Sequence, residues 1–218
     1  IWKYRIVSAM AASLSIILLF FLSKPIFSNK ESFNASLILG SSLLVIAEAH
    51  IAKTDSVLLL LTTIAFLTFF KYFKGIHNKE LMNFLLLWGS LGLSILIKGP
   101  VLLVLLFITA IIIAVIKKDI NWIRHTRPFW GILLVIVIST PWFFLLPYEE
   151  QKSFLHESLL HDFLGKVINT QESHGGFPGF HFLGIWVFFF PFSIFLFPLI
   201  NYLKLSYKKE NILFLILW

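Results

Sequence analysis

Long apolar runs alternate with short polar connections along almost the whole chain. The runs occupy about 6–22, 33–51, 56–73, 81–97, 101–116, 128–146 and 180–203, and an eighth starts at Ile212. Each is long enough, or nearly so, to cross a hydrocarbon core, which takes about 20 apolar residues as a helix. Backbone polar groups find no water in lipid and must pair within the segment, so the pattern predicts helices. The predicted architecture is an all-α, polytopic membrane bundle, a single domain over 1–218 with about seven complete spans and the start of an eighth. The connections are short except one at about 147–179, and connections of that length commonly carry function. The chain shows neither an internal repeat nor a low-complexity tract beyond its apolar bias.

Composition agrees with the pattern. Hydrophobic residues make up 58% and charged residues 13% of the chain, where a soluble domain is nearer half and a quarter. The formal charge of +7 would suggest nucleic acid in a soluble protein. Here the basic residues sit in the short connections, as orientation signals do, so nucleic acid is not an expected partner. With no cysteine, a disulfide framework, a thiolate nucleophile and a Cys-ligated metal are excluded. The chain begins at Ile1 rather than Met and ends inside the run ILFLILW, so it is expected to be a fragment.

The basic residues assign the two sides. Lys24, Lys30, Lys71, Lys74, Lys79, Lys117, Lys118, Arg124, Arg127, Lys204, Lys208 and Lys209 fall in one set of alternate connections, 12 of the 18. Lys3, Arg5, Lys53, Lys98, Lys152 and Lys166 fall in the other. The first set is expected in the cytoplasm, and the long connection faces outward. That orientation makes the glycosylation pattern Asn34-Ala35-Ser36 a chance match, because it lies on the cytoplasmic side.

Four polar groups share the outward side. AEAHIAKTDS brings Glu48, His50, Lys53 and Asp55 to the turn between the second and third spans, and IKGP places Lys98 between the fourth and fifth. HDFLGKV supplies His161, Asp162 and Lys166, and QESHGGFPG supplies Glu172 and His174. Ionisable residues at membrane depth are costly and tend to mark sites. Each has a plainer reading. Thr54 and Asp55 could simply cap the third span, and Lys98 could be a snorkelling anchor. Gly175, Gly176, Pro178 and Gly179 suit a turn ahead of a span whatever the function. Glu172 and His174 could hold a divalent metal but have no defined third ligand. His50 and His181 read as interface histidines, and the aromatic residues around 186–197 as an interfacial belt. Co-location favours a site: lysines suit a lipid phosphate, and a nearby carboxylate could take a proton from an incoming hydroxyl.

At these residues the chain resembles a known superfamily, the dolichyl-phosphate-mannose protein mannosyltransferases and aminoarabinose (lipid A) transferases, in its bacterial form. YRIVSAMAA is similar to the Arg-Leu-Pro-Ser-Ala start of a span, AEAHIAKTDSVLLLL to the Ala-Arg-x-Ala-x-Thr-Asp turn, and LIKGPV to the Lys-Gly-Pro turn. STPWF and the stretch from SLLHDFLGKVINTQESHGGFPGFHF to FFFPFSIFLFP also fit, so the ordered match covers nearly the whole chain. The resemblance implies a GT-C fold and an inverting glycosyltransferase at the outer face of the bacterial inner membrane. Its partners would be a polyprenyl-phosphate sugar donor, a lipid or protein acceptor and membrane lipids. It assigns Asp55, Glu172 and His174 to catalysis and Lys53, Lys98, Asp162 and Lys166 to substrate binding; it fixes no cofactor, and Glu172 and His174 could hold a divalent metal. By the same resemblance the superfamily's principal carboxylate is expected in a first outward loop upstream of Ile1. The competing reading is a multispan transporter or flippase for a lipid-linked substrate, for which repeat symmetry is the usual mark.

Overall fold

A computed structural model of the chain describes residues 2–76, 78–148, 150–151, 180–206, 212 and 214–215. All regular structure among them is helical. In chain order the helices are α1 (Trp2–Ser23), α2 (Asn29–Ser41), α3 (Leu43–Ala49), α4 (Asp55–Phe73), α5 (Glu80–Lys98) and α6 (Val101–Lys117). Then come α7 (Asn121–His125), α8 (Pro128–Ser139), α9 (Pro141–Phe144) and α10 (Phe180–Phe188). A short 3-10 turn, Phe192–Phe195, leads into α11 (Leu196–Ser206).

Three segments, Arg5–Ser23, Asp55–Phe73 and Glu80–Lys98, are 19 residues each and apolar enough to cross a membrane. At 1.5 Å per residue each reaches about 28 Å, close to one hydrocarbon thickness. The pair α2 and α3 makes a fourth span if the two helices count as one, bent by 59°. The helices Val101–Lys117 and Pro128–Ser139 and the stretch Phe192–Leu205 are apolar but shorter. The seven runs read from the sequence thus map onto three or four span-length elements and three shorter ones. Proline accounts for two of the shortenings. Pro141 follows Thr140, the C-cap of α8, and the residue before a proline is turned away from helical geometry. Pro191 lies between α10 and the 3-10 turn.

The bend at Ser42 frees backbone groups that lipid would leave unpaired. The Leu43 N–H donates to Phe190 O at 3.3 Å, and the Ser42 hydroxyl donates to Phe188 O at 2.9 Å. The end of α10 and the turn after it therefore close the gap in the second span, as a broken membrane helix requires.

Helices in lipid gain little from burying oil against oil, so close packing of small residues holds them together. On α1 the buried residues Ser8, Ala11, Ala12 and Ser15 recur at helical spacing and form one narrow face, and the helix packs against α4. Between α5 and α8 the approach is closer still. Gly131 has no side chain, and a Cβ there would sit 1.9 Å from the Trp88 ring. Trp88 lies in that space, 2% exposed, and its indole N–H donates to Thr126 O at 2.7 Å. At the basic end the core is aromatic. Phe70 stacks on Phe214 at 4.2 Å, and Phe69 meets Trp122 at 5.1 Å between ring centres. Phe214, from the run that starts at Ile212, is fully buried there.

Candidate active site

The turn between α3 and α4 is folded tightly by its own backbone. The N–H of His50 donates to Ala47 O, that of Ile51 to Glu48 O and that of Lys53 to Ile51 O. From α1, the buried Ser8 hydroxyl donates to the Lys53 carbonyl at 3.0 Å, which fixes the turn to the first span. Asp55 then opens α4. Thr54 occupies the cap position but makes no side-chain capping bond. By contrast, α2 opens on a reciprocal capping box, with Glu31 accepting from the Ser28 N–H at 2.8 Å and its own N–H reaching the Ser28 hydroxyl. The capping role foreseen for Thr54 is therefore unfilled, and the Asp55 carboxylate faces elsewhere.

It faces Lys98. Lys98 is the last residue of α5, and its ammonium donates to Asp55 Oδ1. The Lys-Gly-Pro order explains why the lysine stands at the tip. Gly99 takes φ +80, a conformation that side chains disfavour, so the helix stops at Lys98 with Gly99 as its cap. The Gly99 N–H still donates to Ile95 O at 3.0 Å, and Pro100 opens α6. Asp55 at a helix N-terminus and Lys98 at a helix C-terminus each complement the local dipole.

The side chains of Lys98 and Asp55 are 51% and 35% exposed. An ion pair this wet contributes only about 0–1 kcal/mol to stability. It is also free to exchange partners. The ammonium carries three donors and spends one on Asp55, so two remain for an incoming anion. Lys53 is exposed in the adjacent turn, and a second cation there deepens the attraction.

Of the residues proposed from sequence, Asp55 and Lys98 are brought into contact and Lys53 lies in the same turn. Asp162, Lys166, Glu172 and His174 fall outside the described residues, as does most of the connection at 147–179. Among the described residues no group of three His, Asp or Glu side chains is arranged to hold a metal. Two contributors carried no assigned role in the sequence reading. Ser8 was visible only as the serine of YRIVSAMAA. Glu48 was grouped with Asp55 but given no task, and its Oε2 is buried without a hydrogen-bond partner. Ser56, next to Asp55, also has a buried hydroxyl without a partner.

The family described as dolichyl-phosphate-mannose-protein mannosyltransferase matches residues 1–144, well over half of the chain. The chain belongs to this family. The mannosyltransferase match takes in α1 to α9, the Ser8 contact, the Lys53 turn and the Asp55–Lys98 pair, and it makes the protein a membrane glycosyltransferase. No curated protein and no solved structure matches the chain.

Proposed function

We propose that the protein takes a sugar from a polyprenyl-phosphate donor at the outer face of a bacterial inner membrane and gives it, with inversion, to a lipid (lipid A-like) or protein acceptor. The observation that carries this reading is the Asp55–Lys98 contact, made between side chains 43 positions apart at one end of the bundle. The acceptor oxygen attacks the anomeric carbon from the side opposite the phosphate. The bond from that carbon to the phosphate oxygen breaks, and polyprenyl phosphate departs with the electron pair. Lys98 neutralises the charge that grows on the departing phosphate, with Lys53 as a second cation. Asp55 acts on Lys98 as a positioning residue and holds the ammonium at the tip of α5 before the donor arrives. The Glu48 carboxylate takes a hydroxyl of the donor sugar, which would satisfy its unpartnered oxygen. Asp162 and Lys166 contact substrate from the outward loop, and Glu172 and His174 complete the catalytic set, alone or around a divalent metal. The acceptor proton goes to Glu172, the carboxylate of that set.

The bent span lends the flippase reading one feature, since transporters bind substrate at broken helices near the midplane. The break here is filled by the Phe188 and Phe190 carbonyls, and the polar residues gather at one end instead, which supports the enzyme. The test is donor use by Lys98→Ala and Lys98→Arg. The alanine variant should lose about 2–3 kcal/mol, the worth of a charge-assisted bond to phosphate. Arginine should restore only part of it, because its fork presents donors differently. Unchanged donor affinity in Lys98→Ala would reduce Lys98 to a membrane anchor.

A further inference from the structure

At the basic end of the bundle, α5 and α8 start side by side and leave a groove of about 420 Å³ along their seam. Leu81 and Phe84 line it from α5, and Trp130, Leu133 and Val137 from α8, with Arg127 at its mouth. The Gly131–Trp88 contact draws the two helices together beneath it, while the flanking side chains stand proud: Leu81 is 70% exposed and Trp130 60%. From Arg127 to Val137 the groove climbs ten residues, about 15 Å of helix. That is about half the thickness of a hydrocarbon core, the depth of one leaflet.

The mouth is polar and mostly basic. Arg127 donates through Nη2 to Glu80 Oε2 at 2.8 Å, and its side chain is 59% exposed. One N–H of the guanidinium is committed to Glu80, and others remain for an anion. Lys79 and Arg124 flank the same two helix starts. Against these cations stands the Glu80 carboxylate, which pairs with Arg127.

We propose that this seam is a binding site for an anionic phospholipid of the leaflet on the basic side, one acyl chain lying along Leu81, Phe84, Trp130 and Val137 and the phosphate at Arg127. An apolar slot one leaflet deep with cations at its rim fits that chemistry, because basic pockets between membrane helices select anionic headgroups. A zwitterionic lipid would fill the slot but leave the cations uncompensated. The site lies at the opposite end of α5 from Lys98 and does not depend on the reading of the outer end.

The test is native mass spectrometry of the purified chain in detergent, offered equal amounts of phosphatidylglycerol and phosphatidylcholine with matched acyl chains. Phosphatidylglycerol should be retained at least about fivefold over phosphatidylcholine, and Arg127→Gln should bring the ratio down by about fivefold, the worth of one basic side chain near a lipid surface. Glu80→Gln should raise the ratio, since it removes the opposing charge. Val137→Trp should lower retention of both lipids while leaving the ratio unchanged. Lys118→Gln removes a charge from the same end of the molecule but away from the groove, and it should retain the parent ratio. Equal retention of the two lipids by the parent would overturn the proposal. So would an Arg127→Gln effect no larger than that of Lys118→Gln, which would reduce the selectivity to bulk surface charge.

Discussion

Helix α5 carries an ion pair at each end, and the two ends are built differently. At its C-terminus Lys98 meets Asp55 of α4, and at its N-terminus Glu80 meets Arg127 before α8. In both pairs the side chains are at least about a third exposed, so neither contributes much to stability. Their surroundings separate them. Near Asp55 stand two buried polar atoms without partners, Glu48 Oε2 and Ser56 Oγ. Arg127 instead borders an apolar groove, and the same end holds the aromatic core around Phe70, Trp122 and Phe214. Buried polar atoms without partners occur toward the basic end as well, at Ser32, Thr68 and Trp122. The one carboxylate among those of the described residues is Glu48, however, and a carboxylate is the costliest of these groups to leave unpaired. Its end is therefore the one where a polar ligand is due. The lesson is that an ion pair is informative through its neighbours.

The largest contrast should come from breaking each pair in turn. Lys98→Ala is expected to cut kcat/KM for a polyprenyl-phosphate sugar by about 30- to 150-fold, the equivalent of about 2–3 kcal/mol. Arg127→Ala should leave it within about threefold. If Asp55 acts through Lys98, Asp55→Asn should cost about tenfold alone and nothing further on top of Lys98→Ala, a non-additivity that a double-mutant cycle reads directly. Additive losses would give Asp55 a role of its own in the chemistry.

Glu48 sharpens the same comparison in a second way. A buried carboxylate oxygen without a partner contributes nothing to folding, so Glu48→Ala should leave the melting temperature unchanged or raise it. If the oxygen waits for a sugar hydroxyl, the same variant should raise the donor KM by about tenfold, the loss of one hydrogen bond to a charged group. A fall in melting temperature with unchanged KM would make Glu48 a structural residue.

The helical class and the membrane setting were legible from the runs alone, because lipid leaves the backbone few choices. The Asp55–Lys98 meeting was legible as two polar turns on one side, although their contact needed the antiparallel pairing of α4 and α5. The lengths of the elements were less so. A hydropathy run passes through Ser42 and Pro141 without interruption, yet the helix bends at the first and stops before the second. The bend depends on carbonyls of Phe188 and Phe190, nearly 150 residues further on, and no local pattern announces them. Gly131 is similar: in the sequence it is one glycine in an apolar run, and only the Trp88 ring beneath it shows why it is there.

That glycine separates packing from chemistry at the basic end. Gly131→Val drives a side chain into the Trp88 ring and should cost about 1–3 kcal/mol, the usual range for overpacking. Gly89→Ala, one residue after Trp88 and with open space around it, should be neutral or stabilise by up to about 1 kcal/mol through helix propensity. Comparable melting temperatures for the two variants would contradict the close α5–α8 approach.

The smallest effect is expected at Ser8, and it tests whether the outer turn is held or merely placed. The Ser8 hydroxyl donates to the Lys53 carbonyl from a fully packed face of α1. Ser8→Ala keeps that narrow face, since alanine already stands at positions 11 and 12, and removes only the bond. The loss should be about 1 kcal/mol, the net worth of one neutral hydrogen bond. Its consequence is specific. With the Lys53 turn loosened, the donor KM should rise by a few-fold while kcat stays near the parent value, because Asp55 and Lys98 are carried by α4 and α5 rather than by the turn. Combining Ser8→Ala with Lys53→Ala should then add little to Lys53→Ala alone, for the bond matters only through the lysine it fixes. A drop in kcat with unchanged KM would instead mean that α1 positions the α4–α5 pair itself, and the turn would lose its separate role.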